Sequence, residues 1–263
     1  MKAADFDYFR ASSVTEVCRI LSERGAGAKI IAGGQSLVPM MAMRLTKPAA
    51  LIDINDITEL QGIDYSEGRL EIRAATHQCD IEVSSTVREH CSILLKALHF
   101  VGHSQTRNRG TLGGSMVHAD PSAELPLVSV LLDAEVMVTD GSATDAIPAT
   151  EFFLAPMITT LTPEQCVVAV RFPVWQGRVG SGFHEVSPRV GDFAIVSAAA
   201  QIKVDSARSP QAKAQAQQQA DQAGKYSKLY LLKAVKVYSA LTNNPAFRNY
   251  PKMDMALFYY GYT

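Results

Sequence analysis

Two glycine pairs constrain this chain more than any other feature. They stand in Ala32-Gly33-Gly34-Gln35-Ser36 and in Thr111-Leu112-Gly113-Gly114-Ser115. Paired glycines let the main chain take positive φ and approach a ligand closely. Successive N–H groups in such a turn form a concave anion site. Each pair is followed within two residues by a hydroxyl residue. One Gly-Gly pair alone is usually just a turn, but two in this setting point to an extended anionic ligand gripped at both phosphates, such as a dinucleotide. The surrounding order is helix, strand, glycines. A Rossmann domain instead has G-x-G-x-x-G between a strand and a helix, with an acid on the next strand. That spacing is absent, and so is the G-x-x-x-x-G-K-[ST] phosphate loop.

At 263 residues the chain exceeds the usual single-domain size, so two or three subdomains are expected. A hydrophobic content of 47% with 19% charged residues describes a globular protein. The net charge of −1 provides no basic excess to attract nucleic acid or an anionic membrane. Met1-Lys2-Ala3-Ala4-Asp5-Phe6-Asp7 lacks the layout of a signal peptide, and no apolar run reaches membrane-spanning length. The expectation is a cytoplasmic protein with a small-molecule or protein partner. Cys18, Cys79, Cys91 and Cys166 form no C-x-x-C pair, so no zinc or iron–sulfur site is expected within this chain. Cys18, on an apolar stripe with Val14, Val17 and Leu21, reads as a buried small hydrophobe.

Ser13-Val14-Thr15-Glu16 has the form of a capping box and predicts a helix to about Arg24, stopped by Gly25. Lys29–Ala32 reads as a short strand into the first glycine turn. Leu37–Leu45 reads as a helix with Pro39 in its first turn and methionines serving as adaptable packing. Leu51–Ile54 and Leu70–Ala74 read as strands, with Ile57–Leu60 a connecting turn at the first subdomain boundary. A helix is expected over Cys91–Val101 and another over Glu124–Leu132, the latter with Asp120 as N-cap. Glu135–Thr139 and Gln165–Pro173 read as strands. Phe193–Val204 begins a further strand or helix. Ala207–Gly224 reads as a solvated helix or disordered linker, and Tyr226–Val237 hints at an amphipathic helix.

Around the second glycine pair, Arg107 can offer a charge-assisted bond to a phosphate, against the alternative of a solvated loop charge. Asn108 is read as a partner for loop backbone. His118 and Asp120 lack a third ligand at metal spacing. Glu124 could accept hydrogen bonds from a polyol such as ribityl or ribose, or be a surface carboxylate. No Ser-His-Asp order and no G-x-S-x-G elbow stands out, so redox chemistry here would come from a bound cofactor.

Ala32-Gly33-Gly34-Gln35-Ser36-Leu37-Val38-Pro39-Met40-Met41 resembles the first FAD-binding signature of the medium, flavin-carrying subunit of bacterial molybdenum hydroxylases. Gln105 to Ser115, followed by His118-Ala119-Asp120-Pro121, resembles the second. This is the carbon monoxide dehydrogenase and xanthine dehydrogenase family. The likeness is colinear from about Phe6 to Val204 and includes Leu51–Ile54 and Gly191-Asp192-Phe193-Ala194.

The resemblance implies an α+β fold of the FAD-binding PCMH type, like that of vanillyl-alcohol oxidase. Two subdomains, 1–57 and 58–175, would enclose FAD, and a C-terminal α+β subdomain would begin at 176–205. It implies a large molybdenum–pterin partner and a small [2Fe–2S] partner, assembled as a dimer of heterotrimers. Electrons would pass from substrate at molybdenum through the clusters to this chain's FAD, then to an outside acceptor. The implied pyrophosphate grip is Ala32, Gly33, Gly34, Gln35, Ser36 and Leu37 with Thr111, Leu112, Gly113, Gly114 and Ser115. Glu124 stands where the family often carries Asp, Val167 where an apolar residue flanks the cofactor, and His184 near a position often held by Lys. No catalytic residue and no metal ligand is implied in this chain.

Beyond about Asp205 the family's last subdomain finds no match. Residues 206–263 are read as a divergent tail, with an incomplete third subdomain and a more exposed FAD as the expectation. A stand-alone flavin oxidoreductase of the same fold and a degenerate assembly subunit remain open at this point. The substrate is not readable here: carbon monoxide, aldehydes, purines and N-heteroaromatics all occur across the family.

Overall fold

The computed structural model describes residues 2–204. The expectations for the Gln/Ala tract, the Tyr226–Val237 helix and the divergent tail fall outside those residues.

The chain opens with β1 (Asp7–Arg10), α1 (Val14–Arg24), β2 (Ala28–Ile31), α2 (Leu37–Ala42) and β3 (Ala50–Asp53). The strands form a parallel sheet in the order β1-β3-β2. The capping box forms in part as its sequence predicts. The Ser13 hydroxyl accepts from the Glu16 N–H at 3.2 Å, and the Glu16 carboxylate reaches back to the N–H of Ser12 rather than of Ser13. Gly25 ends α1 at φ 58, a conformation that favours glycine. Val17, Cys18, Ile20 and Leu21 of α1 are buried, against a core that includes Ile52 of β3. Of the methionines in the 37–45 segment, Met41 is buried and Met43 is half exposed, so only part of that run is packing.

The next stretch holds β4 (Ile63–Ser66), β5 (Arg69–Arg73), α3 (Gln78–Val83), α4 (Ser85–His90), α5 (Ser92–Leu98), α6 (Ser104–Arg107), α7 (Leu112–His118) and α8 (Glu124–Leu131). It continues through β6 (Glu135–Thr139), β7 (Thr144–Pro148), α9 (Ala149–Phe152), β8 (Phe153–Ala155), β9 (Ile158–Thr159) and β10 (Cys166–Pro173). A five-stranded sheet of order β4-β5-β10-β6-β7 is antiparallel throughout. Its core face carries Leu70, Ile72, Val136, Val138, Val170 and Phe172. Against them pack Ile93, Leu94 and Leu98 of α5, Leu112 and Met116 of α7, and Leu125 and Val128 of α8. A hairpin of β11 (Arg178–Val186) and β12 (Val196–Val204) follows. This mixture of a parallel β–α sheet and a helix-backed antiparallel sheet is the expected α+β class.

Several local expectations are corrected. The second glycine pair lies not in a turn but in the first turn of α7, whose N-cap is Thr111. Asp120 does not cap α8. That N-cap is Ala123, and the Asp120 carboxylate instead accepts from the N–H and hydroxyl of Ser122, at 2.8 and 2.7 Å. The helix expected over Cys91–Val101 stops at Leu98. Of the strand or helix expected after Phe193, the strand forms, from Val196.

The two layers touch at defined points. Cys18 of α1 and Cys166 of β10 lie buried with their sulfurs 3.7 Å apart. The Gly33 backbone lies against the Arg109 carbonyl and the Cα of Gly110. A Cβ on Gly33 would come within 2.9 Å of that Cα and closer still to the carbonyl oxygen. Gly113 meets the end of β5 in the same way, since a Cβ there would fall 2.6 Å from the Ala74 Cβ and 2.8 Å from its carbonyl oxygen. Alanine suits a helix better than glycine by about 1 kcal/mol. Here the overlap outweighs that preference, so Gly113→Ala is expected to destabilise the protein by about 1–3 kcal/mol. Urea unfolding of the variant against the parent measures it.

Candidate functional site

The first glycine loop leaves β2 at Ile31 and enters α2 at Leu37. Two side-chain amides hold its carbonyls. Asn55 Nδ2 donates to the Ala32 oxygen at 3.0 Å, and Gln35 Nε2 donates to the Gly33 oxygen at 3.0 Å. Gly34 adopts φ 68, and a Cβ there would also press on Val38 at 3.0 Å. The Val38 N–H closes the loop on the Gly34 carbonyl at 3.0 Å. The N–H groups from Gly33 through Leu37 find no acceptor among the described residues. Gln35 and Ser36 are exposed. A short run of backbone donors, partly open and without side chains at two positions, is a fitting cradle for phosphate oxygens.

The second segment is built differently. Its N–H groups are engaged in the fold: Leu112 on the Thr76 carbonyl at 3.2 Å and Gly113 on the Ala74 carbonyl at 2.8 Å. Gly114 bonds the Thr111 hydroxyl at 3.1 Å, and Ser115 bonds the Thr111 carbonyl at 3.1 Å. Leu112 is fully buried. The expectation that the second pair also forms a concave anion turn is therefore corrected. The first loop is open, while the second is a wall whose glycines allow backbone to meet backbone. Its outward groups are the exposed Gly114 backbone and the half-buried Ser115.

Arg107, expected at a phosphate, is placed elsewhere. Its Nε donates to Glu82 Oε2 at 2.9 Å and its Nη2 to Glu82 Oε1 at 3.3 Å. Its Nη1 reaches the carbonyls of Val101 and Gly102 at 3.0 and 3.4 Å. The guanidinium thus clamps the connection between α5 and α6 to α3, with its charge matched by Glu82.

Glu124 opens α8 and is only 8% exposed. Burial pushes its pKa up to about 7, and the neighbouring charges of Glu185 and Asp120 add to the rise. Glu185 is itself buried, raised by that burial, and its carboxylate accepts from the Ser197 hydroxyl at 3.1 Å. A carboxyl in this range can donate as well as accept a hydrogen bond, which suits a polyol. Val167 is buried in the second core, beside the bulge in β10. His184 is exposed on β11, its ring edge-on to Phe100 with centroids 6.4 Å apart.

Sequence reasoning missed the residues behind the first loop. Asn55 carries an ordinary Asx-turn signal with Asp53, but its bond to Ala32 is a tertiary contact. Gln78 was also missed. It is buried, its N–H donates to the Gly110 carbonyl at 2.8 Å, and its Oε1 has no partner among the described residues. An open cavity of about 420 Å³ lies beside Thr76 and His77. None of the expected site residues lines it. Among the described residues no group of three or more His, Cys, Asp or Glu is placed to hold a metal ion.

Residues 4–175 match the family described as the FAD binding domain in molybdopterin dehydrogenase. The chain belongs to that family. It is an oxidoreductase component, and FAD is the cofactor of its domain. It is 40% identical over 205 residues to the 6-hydroxypseudooxynicotine dehydrogenase complex subunit alpha of Paenarthrobacter nicotinovorans, covering 78% of this chain and 69% of that one. Carbon monoxide dehydrogenase from Hydrogenophaga pseudoflava is similar in structure, with a TM-score of 0.76 at 33% identity, covering 78% of this chain and 71% of that one. Quinoline 2-oxidoreductase from Pseudomonas putida 86 gives 0.75 at 36%, covering 79% and 72%. Among the described residues no helix is long and apolar enough to cross a membrane.

The Glu124 carboxyl has a measurable consequence for the cofactor-free protein. Its ordinary value is 4.5, so between pH 4.5 and about 7 the unfolded chain has lost this proton while the folded chain keeps it. Stability therefore falls as pH rises through that window, by on the order of 3 kcal/mol if the whole shift is realised. Glu124→Gln removes this contribution. The variant is expected to gain stability over the parent from pH 4.5 to pH 8, read by parallel urea titrations.

Proposed function

We propose that this chain is the FAD-carrying electron-transfer subunit of a molybdenum-containing hydroxylase or dehydrogenase. The observation that carries the reading is the first glycine loop, whose N–H groups from Gly33 to Leu37 have no acceptor among the described residues and whose Gly33 backbone lies against the Arg109–Gly110 backbone of the second family segment. When bound, FAD supplies the redox chemistry: it takes electrons and passes them to an external acceptor.

The chain's own residues bind and orient it. Gly33, Gly34, Gln35, Ser36 and Leu37 would hold the pyrophosphate through backbone N–H groups, with Ala32 setting the loop. Thr111 to Ser115 would wall the cofactor from the other side, Gly114 and Ser115 being the outward members. Glu124 would hold the polyol. Val167 and His184 are assigned to the neighbourhood of the flavin ring, where a neutral or charged imidazole changes the ring's electronics relative to a lysine. Residues 1–57 and 58–175 are proposed as the two cofactor-enclosing subdomains, with a third beginning at 176–205.

Electrons would arrive from the [2Fe–2S] clusters of a small partner subunit, fed by a large molybdenum–pterin subunit in a dimer of heterotrimers. The names of the relatives support this, being those of subunits and chains of dehydrogenases. On this reading the organic substrate meets another chain, and the protein works in the cytoplasm.

The test is anaerobic reduction. With substrate, the flavin absorbance of the assembled complex is expected to bleach, and that of this chain alone, reconstituted with FAD, to stay unchanged. Bleaching of the isolated chain by an organic substrate would establish a stand-alone oxidoreductase instead.

A further inference from the structure

The first loop is open on its donor side but held on its carbonyl side, by Gln35 from within the quoted glycine segment and by Asn55 from beyond it. Asp53 ends β3, the central strand of the parallel sheet, with Arg10 and Ile31 beside it in register. Its Oδ1 accepts from the Asn55 N–H at 2.9 Å and from Asn55 Nδ2 at 2.7 Å. Its Oδ2 accepts from the Tyr8 hydroxyl. The same Asn55 Nδ2 donates its other hydrogen to the Ala32 carbonyl at 3.0 Å. The Asn55 carbonyl is fixed in turn by Gln61 Nε2 at 2.7 Å.

This network fixes the sense of the Asn55 amide. Turned over, its oxygen would face both the Asp53 carboxylate and the Ala32 carbonyl, two acceptors. Burial by itself would raise the Asp53 pKa, but the bonds from Tyr8 and from the N–H and amide of Asn55 overcome it and hold the carboxyl below its ordinary range. The anchor is thus an ionised, acceptor-only group over the working pH range.

A trans peptide is planar, with its C=O and N–H pointing in opposite directions. All peptides described here are trans. A donor fastened to the Ala32 oxygen therefore aims the Gly33 N–H the other way, into the open row. Gly33 and Gly34 lack side chains to restrict the loop, so the Asn55 bond to the Ala32 carbonyl adds to the packing of Gly33 on the Arg109–Gly110 backbone in setting this peptide plane.

We infer that Asn55, anchored by Asp53 and Tyr8, is a positioning residue for the proposed cofactor site: through the Ala32 carbonyl it fixes the Gly33 N–H on the pyrophosphate. This rests on the reading of the chain as an FAD subunit. Asn55 touches the loop and needs no contact with FAD. Its effect is preorganisation, which raises affinity by lowering the ordering cost of binding.

The experiment uses the full chain stripped of flavin. FAD binding is titrated by fluorescence for the parent, Asn55→Ala and the isosteric Asn55→Asp, and thermal unfolding of each cofactor-free protein is recorded. The ³¹P spectrum of bound FAD supplies a signature that a general loss of stability does not produce. Both variants are expected to raise the FAD dissociation constant about tenfold. The cofactor-free melting point of Asn55→Ala should stay within about 2 °C of the parent, that of Asn55→Asp should fall because its carboxylate faces Asp53, and the bound pyrophosphate resonances of both should shift. Tyr8→Phe, which loosens the anchor only, should weaken FAD binding less than either. Equal affinities and unshifted resonances would overturn the positioning role while leaving the FAD reading intact. Weaker binding that merely follows a lowered melting point, with unshifted resonances, would overturn it too, leaving Asn55 a support of the fold. A parent chain that takes up no FAD would overturn the underlying reading, and the role of Asn55 with it.

Discussion

Gly33 and the Arg109–Gly110 backbone lie so close that no methyl group fits between them. The rest of the site depends on that approach. It joins the loop leaving a parallel strand of the first sheet to the connection between α6 and α7. Any side chain at Gly33 would push these segments apart and displace the loop that carries the open N–H groups. The buried sulfurs of Cys18 and Cys166 mark a second place where the first layer meets the second. The proposed site is thus a property of two cores meeting, and neither glycine segment contains it alone.

The two segments divide the work unequally. In the first, side-chain amides take the carbonyls and leave the N–H groups unused. In the second, the carbonyls of Ala74 and Thr76 and the oxygens of Thr111 take nearly every N–H. Similar sequences, Gly-Gly followed by a hydroxyl residue or one removed from it, thereby serve different physical ends. One glycine pair leaves donors without acceptors among the described residues, while the other permits a helix to start flush against the end of a strand.

Much of the fold was legible because its signals are local. The capping box and apolar stripe placed α1, and apolar runs placed β2, β3, β5, β6 and β10 to within a residue or so. The start of α7 was not legible, since Gly-Gly is a poor helix former and its first turn is held by tertiary bonds to the carbonyls of Ala74 and Thr76, just after β5. Arg107 looked available because its partner Glu82 lies on another helix. Asn55 was overlooked for a related reason: nothing near it in sequence announces that Ala32 is its neighbour in space. β11 was missed because Arg178–Val186 contains two glycines and is mostly exposed, without a clean alternation. The family resemblance supplied the cofactor and the outline of the site, and the geometry supplied which atoms are free to serve it.

The central claim is that the open loop at Gly33–Leu37 holds FAD. The most direct measurement is the visible spectrum of the purified chain, followed by denaturation and identification of what is released. The account predicts a flavin spectrum and FAD at about one per chain, with Gly33→Ala losing most of it as the loop is pushed off its wall. A colourless protein that also fails to take up added FAD would contradict it.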